Sequence, residues 1–495
     1  MGLAKRPVFW SAAVVSPALP RRRKVDYRLY AVPGEERKTG LRPMADSTFP
    51  SADAAVFHLP SGLRYECVRD GDCCRDYDIV VEPEDVERIE AAEWRACSRL
   101  APGAASPCTV LPRQEGQRSA FVRLSGACNF LTGDGGCGLH ERYGRAIKAH
   151  ACRRFPYSFV EAPDGVYVGL SFGCRSIQKN AGRPVEEQFD DVREEFLRWP
   201  AYHRVAEPVR FDATTPITWP DYLAIESSLD EILGREDRPF GQCLIAGHAW
   251  LGMLRRMLHA TKKPSDPGVS QIVAFYLERT RTEGFARAFR IAERSVASRA
   301  TKRMLLGSFV LFRTAALRGG SRFVVAARLL LENVRHWLRL GSFRFPPFEE
   351  AISWRKFRPD PAALNTPEAQ TLLRRYFRHA LFRKDAIRHT DLFWGYCYLV
   401  LAYGLIEWHL AAWRVATRRS EALRGEPVGG ADPAPGRGGD DASHADNLRQ
   451  AVNLVERFYL HHSNFNQLFL YHPAVAETVQ YLFKRPNFAH SIVAG

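Results

Sequence analysis

The sequence predicts an α+β protein: a small cysteine-rich α/β domain that binds metal, followed by a large all-α helical region. Three observations carry this. Nine of the eleven cysteines fall between Cys67 and Cys174. Short β-rich runs alternate with glycine-rich turns over the same stretch. Beyond Arg183 the apolar residues recur at helical spacing almost to the C-terminus. With 495 residues, 46% apolar and 25% charged, the chain is long enough to bury substantial cores.

Residues 1–43 hold ten Lys and Arg against three acids and read as a disordered basic tail. Pro17, Pro20 and "RRRK" argue against a secretory signal, and translation from Met44 is the other reading of this segment. Much of the net charge of +15 sits there, and the remainder is spread over Arg-rich helices. A solvated basic surface is expected, without an aromatic-basic nucleic-acid motif.

The small domain is expected over 55–180. "YDIVV" (77–81) is β-rich. "EPEDVERIEAAEW" reads as a helix with Pro83 in its first turn and acids near its N-terminus. "SAFVRLS" reads as a strand, and "YSFVEAPDGVYVGLSF" as a hairpin about Pro-Asp-Gly. Helices are then expected over 186–199, 220–234, 239–260, 271–296, 299–317, 322–339, 366–384, 389–418, 446–461 and 473–484, completing a helical region of 184–495. The Gly/Pro-rich stretch 425–443 reads as a disordered loop. "FWGYCYLVLAYGLIEWHLAAW" (393–413) is long enough to span a bilayer, but Glu407 and His409 make a buried core helix the better reading. No membrane span is expected, and the location is expected to be cytoplasmic.

Cysteines clustered without a secretory signal point to metal or iron–sulfur ligation rather than a disulfide framework. A soft metal holds several thiolates together by neutralising them. Gly71 ahead of the Cys73–Cys74 pair and glycines beside Cys137 and Cys174 supply the sharp turns that let ligands converge. The expected metal residues are Cys67, Cys73, Cys74, Cys128, Cys137, Cys152 and Cys174. Adjacent side chains diverge in a regular backbone, so Cys73 and Cys74 are expected to play different roles. Cys97 and Cys108 are expected to be structural, and Cys243 and Cys397 to be buried as small apolar residues. His140, three residues after Cys137, stands at legal zinc spacing or simply packs on a helix surface. Asp70 is either a hard ligand or an Asx-turn residue. Lys148 and Arg153 either neutralise thiolate charge or face solvent, and His461 and His462 read as an ordinary helix end.

In order, Cys67, the Cys73–Cys74 pair, "CNFL" at Cys128, "CGLH" at Cys137 and "KAHACRRFP" through Cys152 resemble the cysteine-cluster family of zinc- or iron-chelating proteins (YkgJ-like). The chain departs from the pattern at Asp70, where the fullest form has a further cysteine, and at Ala149, where proline is usual. A narrower resemblance, resting on "EAQTLLRRYFRHALF" and "VERFYLHHSNFNQLF", is to the flagellin lysine-N-methylases. It implies an iron–sulfur centre or zinc, S-adenosylmethionine as methyl donor, and a protein substrate of flagellin type. The donor site and the catalytic residues are not visible in the sequence. No Gly-x-Gly-x-x-Gly follows a strand, and the C-x3-C-x2-C spacing of radical enzymes is absent. A non-catalytic protein with a structural zinc or iron site is the alternative.

Overall fold

A computed structural model describes residues 56–110, 119–198, 203–260, 268–279, 283–317, 322–344, 351–388, 391–423, 439–460 and 481–495, apart from positions 78, 125, 206 and 486. The expected tail 1–43, most of the stretch 425–443, His461 and His462, and most of 473–484 lie outside the described residues. Within them the chain is mixed α+β, as predicted.

Helices beyond Arg183 begin where capping chemistry dictates. Thr218 and Asp221 form a reciprocal capping box ahead of Trp219–Gly234, and Thr366 caps Pro367–Phe382; both helices carry proline in the first turn, where its missing N–H costs nothing. Phe240–Ala260 and Leu392–Leu423 are the long central helices. The second contains the apolar stretch that could pass for a membrane span. In the fold Glu407 is buried against Lys302 at 2.8 Å, and no helix among the described residues is long and apolar enough to cross a membrane. The helix expected over 271–296 is described as Val269–Arg279 and Phe285–Arg294, the second entered from a π-helical stretch at 283–284. The helix expected from 446 begins at Gly439. It passes at Glu456–Leu460 into a π-helical turn, a register change common at sites with a special task.

The hairpin is realised as Tyr157–Ala162 against Gly165–Leu170, with Tyr157 opposite Leu170 and Ala162 opposite Gly165. Phe57–His58 adds in parallel to one edge and His203–Arg204 to the other. The inner strand Gly165–Leu170 is buried along its whole length, so both faces of the sheet need covering. The helical region supplies the second cover. One continuous apolar core runs from Leu63 through this hairpin to Val493. A separate small core holds Val81, Ile89, Trp94, Phe121, Cys128, Phe130, Leu139 and Ala149. Leu63 and the hairpin thus pack with the helical region, while the residues between Val81 and Ala149 hold a core of their own.

A buried ionic hub fastens the hairpin to the helices. The Arg383 guanidinium reaches Asp385 and Glu456, each at 2.5 Å, and donates to the Leu170 carbonyl at 3.0 Å. The Leu170 amide donates to His379 Nε2 at 2.8 Å, and the Phe172 amide to Glu456 at 3.3 Å. Tyr376 donates to the other Glu456 oxygen at 3.0 Å. The charges are thus paired and hydrogen-bonded, as burial demands.

Candidate metal centre

The expected metal residues reside on five local pieces that tertiary contacts tie together near the seam of the two cores, with Cys67 exposed ahead of the first. Cys73 and Cys74 sit on the short helix Asp72–Asp76. Gly71 precedes it in the left-handed region (φ +70°), and a Cβ there would stand 2.7 Å from Leu131 Cδ1. Cys128 ends the strand Ala127–Cys128. Cys137 closes a tight loop in which it bridges back to Leu131. At the loop's apex Gly135 has φ +88°, and a Cβ on it would lie 2.0 Å from the Arg69 carbonyl oxygen. Glycine is required at Gly135, where the Cys67–Cys74 segment and the Cys137 loop lie backbone against backbone, and the left-handed φ favours it at Gly71.

Three polar clamps fix the remaining pieces. Arg123 donates to the carbonyls of Arg75, Tyr77 and Gly126, tying the C-terminal end of the Cys73–Cys74 helix to the Cys128 turn. Buried Asp85 accepts the His150 amide at 2.8 Å, capping the helix His150–Arg154 that carries Cys152. Ser176 Oγ accepts the Val68 amide at 3.0 Å, and Arg175 faces Asp72 at 3.5 Å. These last contacts bring Cys174, at the start of Arg175–Lys179, back to the first segment.

The sulfurs of Cys73 and Cys74 are 4.0 Å apart. Two thiolates on one tetrahedral zinc, each about 2.3 Å from the metal, are separated by about 3.8 Å. Adjacency in a helix therefore does not keep this pair from facing one centre. Their mutual hydrogen bond, then burial, pushes the Cys73 thiol well up. Burial pushes Cys128 and Cys174 up to about 12 and raises Cys152, where Cys128, Cys137 and Cys73 add to it and Lys148 opposes. Without a counter-cation these groups are held as neutral thiols, and a soft metal is what would draw off their protons.

Lys148 lies among them. Burial would lower its pKa, yet Cys152, Cys137, Cys67 and Cys73 together raise it. That effect requires the thiolate forms, which the same ammonium and a bound cation would both favour. Asp70 does two things: Oδ1 accepts the Asp72 amide at 3.0 Å, the Asx turn, while Oδ2 is buried without a hydrogen-bond partner among the described residues. An orphaned carboxylate oxygen beside gathered thiols fits a cation. Among the described residues, no three His, Cys, Asp or Glu side chains already stand around a single point as ligands. The donor set suits a soft metal in its chemistry, and closing on one requires the sulfurs to draw inward around it.

The other candidates are placed at the edge of this group or away from it. Cys108, in the strand Cys108–Val110, is raised to about 12 by burial, then by Glu90 and Asp85. Cys97 donates to the Trp94 carbonyl at 3.3 Å, although it also packs at Gly138 beside Cys137. Cys243 and Cys397 are buried. His140 is exposed, and Arg153 is buried beside Glu195 and His150 rather than facing solvent. Sequence reasoning missed Tyr65. Its hydroxyl is raised by burial, then by Cys174 and Cys67, and "RYEC" is the local sign that places it two residues before Cys67. It also missed Arg457, whose guanidinium lies 4.2 Å over the Tyr77 ring and links the π-helical turn to the end of the Cys73–Cys74 helix.

Set beside protein-family models, curated proteins and solved structures, the chain matches none of them.

Proposed function

We propose that this chain binds a metal, iron–sulfur or zinc, through its cysteine cluster, and that it acts as a protein lysine N-methyltransferase drawing on S-adenosylmethionine. The metal reading is supported by one observation above the rest: the Cys73 and Cys74 sulfurs lie 4.0 Å apart, on a segment whose backbone packs against the Cys137 loop at Gly135. Cys67, Cys73, Cys74, Cys128, Cys137, Cys152 and Cys174 are the proposed donors, with Lys148 as the neighbouring cation. The bound group supplies thiolate-ligated Lewis-acid, redox or purely structural chemistry according to its kind. The chain's own residues orient the thiols through Arg123, Asp85 and Ser176, and keep water from Cys128 by burying it.

The methyl-transfer reading is supported by the sequence resemblance described above. A lysine amine attacks a sulfonium methyl only after losing its proton. The test starts from anaerobically purified protein: metal analysis with visible absorption, then calorimetry with S-adenosylmethionine, then mass spectrometry of lysines in a flagellin-type substrate. Iron–sulfur absorption with donor binding and methylated lysine is the expected result. Tightly bound zinc without donor binding overturns the methyl-transfer reading and leaves a metal-binding interaction protein. Metal-free protein overturns both.

A further inference from the structure

Helix Arg322–Leu338 carries a broad apolar arc outward. A surface helix ordinarily turns that side toward the core. Here His336 faces inward, buried, with its ring 4.3 Å from that of Trp354. At about 100° per residue, Val324, Leu330, Leu331, Val334, Trp337 and Leu338 cover an outward arc of about 140° opposite His336. Leu330 is 68% exposed, Leu338 60% and Trp337 52%. So large an exposed apolar face on one helix marks an interaction surface rather than scattered surface residues.

Charge decides which partner. By the same spacing, Arg328 and Arg335 follow one edge of the arc, and Arg339 stands in the turn just past the helix end. Glu332 pairs with Arg335 at 3.2 Å. Arg339 is held below its usual range by desolvation, then by Arg303 and Arg358, so cations crowd one another at that end of the helix. An apolar face bearing tryptophan and leucine with an arginine edge has the chemistry of an interfacial helix, and its complement is anionic headgroups over acyl chains. A second copy packed antiparallel on this face would bring arginine edge against arginine edge.

We propose that the outward face of Arg322–Leu338 docks on an anionic lipid bilayer surface, its apolar side chains entering the headgroup–acyl boundary and its arginine edge meeting the phosphates. The inference is independent of the metal centre. The test is co-sedimentation of the full chain with phosphatidylcholine vesicles, with or without phosphatidylserine. Binding is expected only with phosphatidylserine, falling as salt rises. The double variant Leu331→Glu, Leu338→Glu changes exposed positions, so its far-UV dichroism should match the parent, while vesicle binding should fall at least about tenfold. Arg335→Glu with Arg339→Glu should also weaken it. Undiminished binding by the double leucine variant would overturn the proposal and place the attraction in the basic residues 1–43. Absence of vesicle binding would overturn it too. A dimer abolished by the leucine changes would then identify a second copy as the occupant, and capture of an acidic amphipathic peptide would identify a protein partner.

Discussion

Replacing Arg383 by methionine should unfasten the cysteine seam from the helical region. Arg383, Asp385 and Glu456 are each no more than 3% exposed. Methionine keeps much of the aliphatic bulk but removes the cation that faces both carboxylates and the donor to the Leu170 carbonyl. Arg388, at 3.6 Å from Asp385, and the Tyr376 hydroxyl on Glu456 remain as partial compensation. Breaking a buried pair and leaving charge behind costs about 3–5 kcal/mol. At an m-value of about 3 kcal/mol/M, the first urea transition should therefore move down by roughly 1 M. Because Glu456 also accepts the Phe172 amide, two residues before Cys174, alkylation of Cys174 should quicken in the same variant. Adding Glu456→Gln removes the stranded charge while keeping an acceptor, so the double variant should recover about 1–2 kcal/mol of the loss. A loss below about 1 kcal/mol for Arg383→Met, or strictly additive losses in the pair, would refute the hub as the fastening.

Ser substitutions at Cys73, Cys74 and Cys152, taken singly, should each lower bound metal measured by elemental analysis and destabilise the small core; full occupancy in all three would contradict the donor assignment. Gly135→Ala should cost more than about 1 kcal/mol in thermal unfolding, because the left-handed φ and the contact with the Arg69 carbonyl both oppose a Cβ, and it should also reduce metal retention. Stability should fall as pH drops from about 6.5 toward 4. Burial holds His248 and His336 down to about 4 and His379 to about 3, so the unfolded chain takes up these protons first, at up to about 3 kcal/mol for each of the first two. Asp391 runs the other way: burial raises it to about 7, so its contribution declines as pH rises from about 4 to 7. A denaturation midpoint that stays flat between pH 4 and 6.5 would contradict the three histidine assignments.

The sequence by itself determined the elements whose causes are local. Thr218 with Asp221, and Thr366 with the proline after it, start helices through their own hydroxyls and carboxylates. Pro-Asp-Gly makes its hairpin, and glycine beside the cysteines marks the sharp turns. Glu407 and His409 are enough to take an apolar stretch out of the bilayer and into a core. Tertiary structure alone decided what depends on residues far apart in the chain. The strand Gly165–Leu170 is buried along its whole length, and only the arrival of Arg383, His379 and Glu456 shows that the helical region covers the second face of the hairpin. The Cys73 and Cys74 sulfurs approach to 4.0 Å although adjacent positions in a helix diverge, a matter of rotamer and neighbours that helical periodicity does not encode. Asp70 is an Asx-turn residue through one oxygen and a candidate ligand through the other, because burial acts on atoms rather than on residues. Cys174 and Lys148 join the cluster through Ser176, Asp85 and Arg88, whose Lys148 carbonyl contact spans 60 positions. The outward apolar arc of Arg322–Leu338 belongs to the same class. Its periodicity was legible, but which side faces the core was settled by His336 against Trp354, a contact between separate elements.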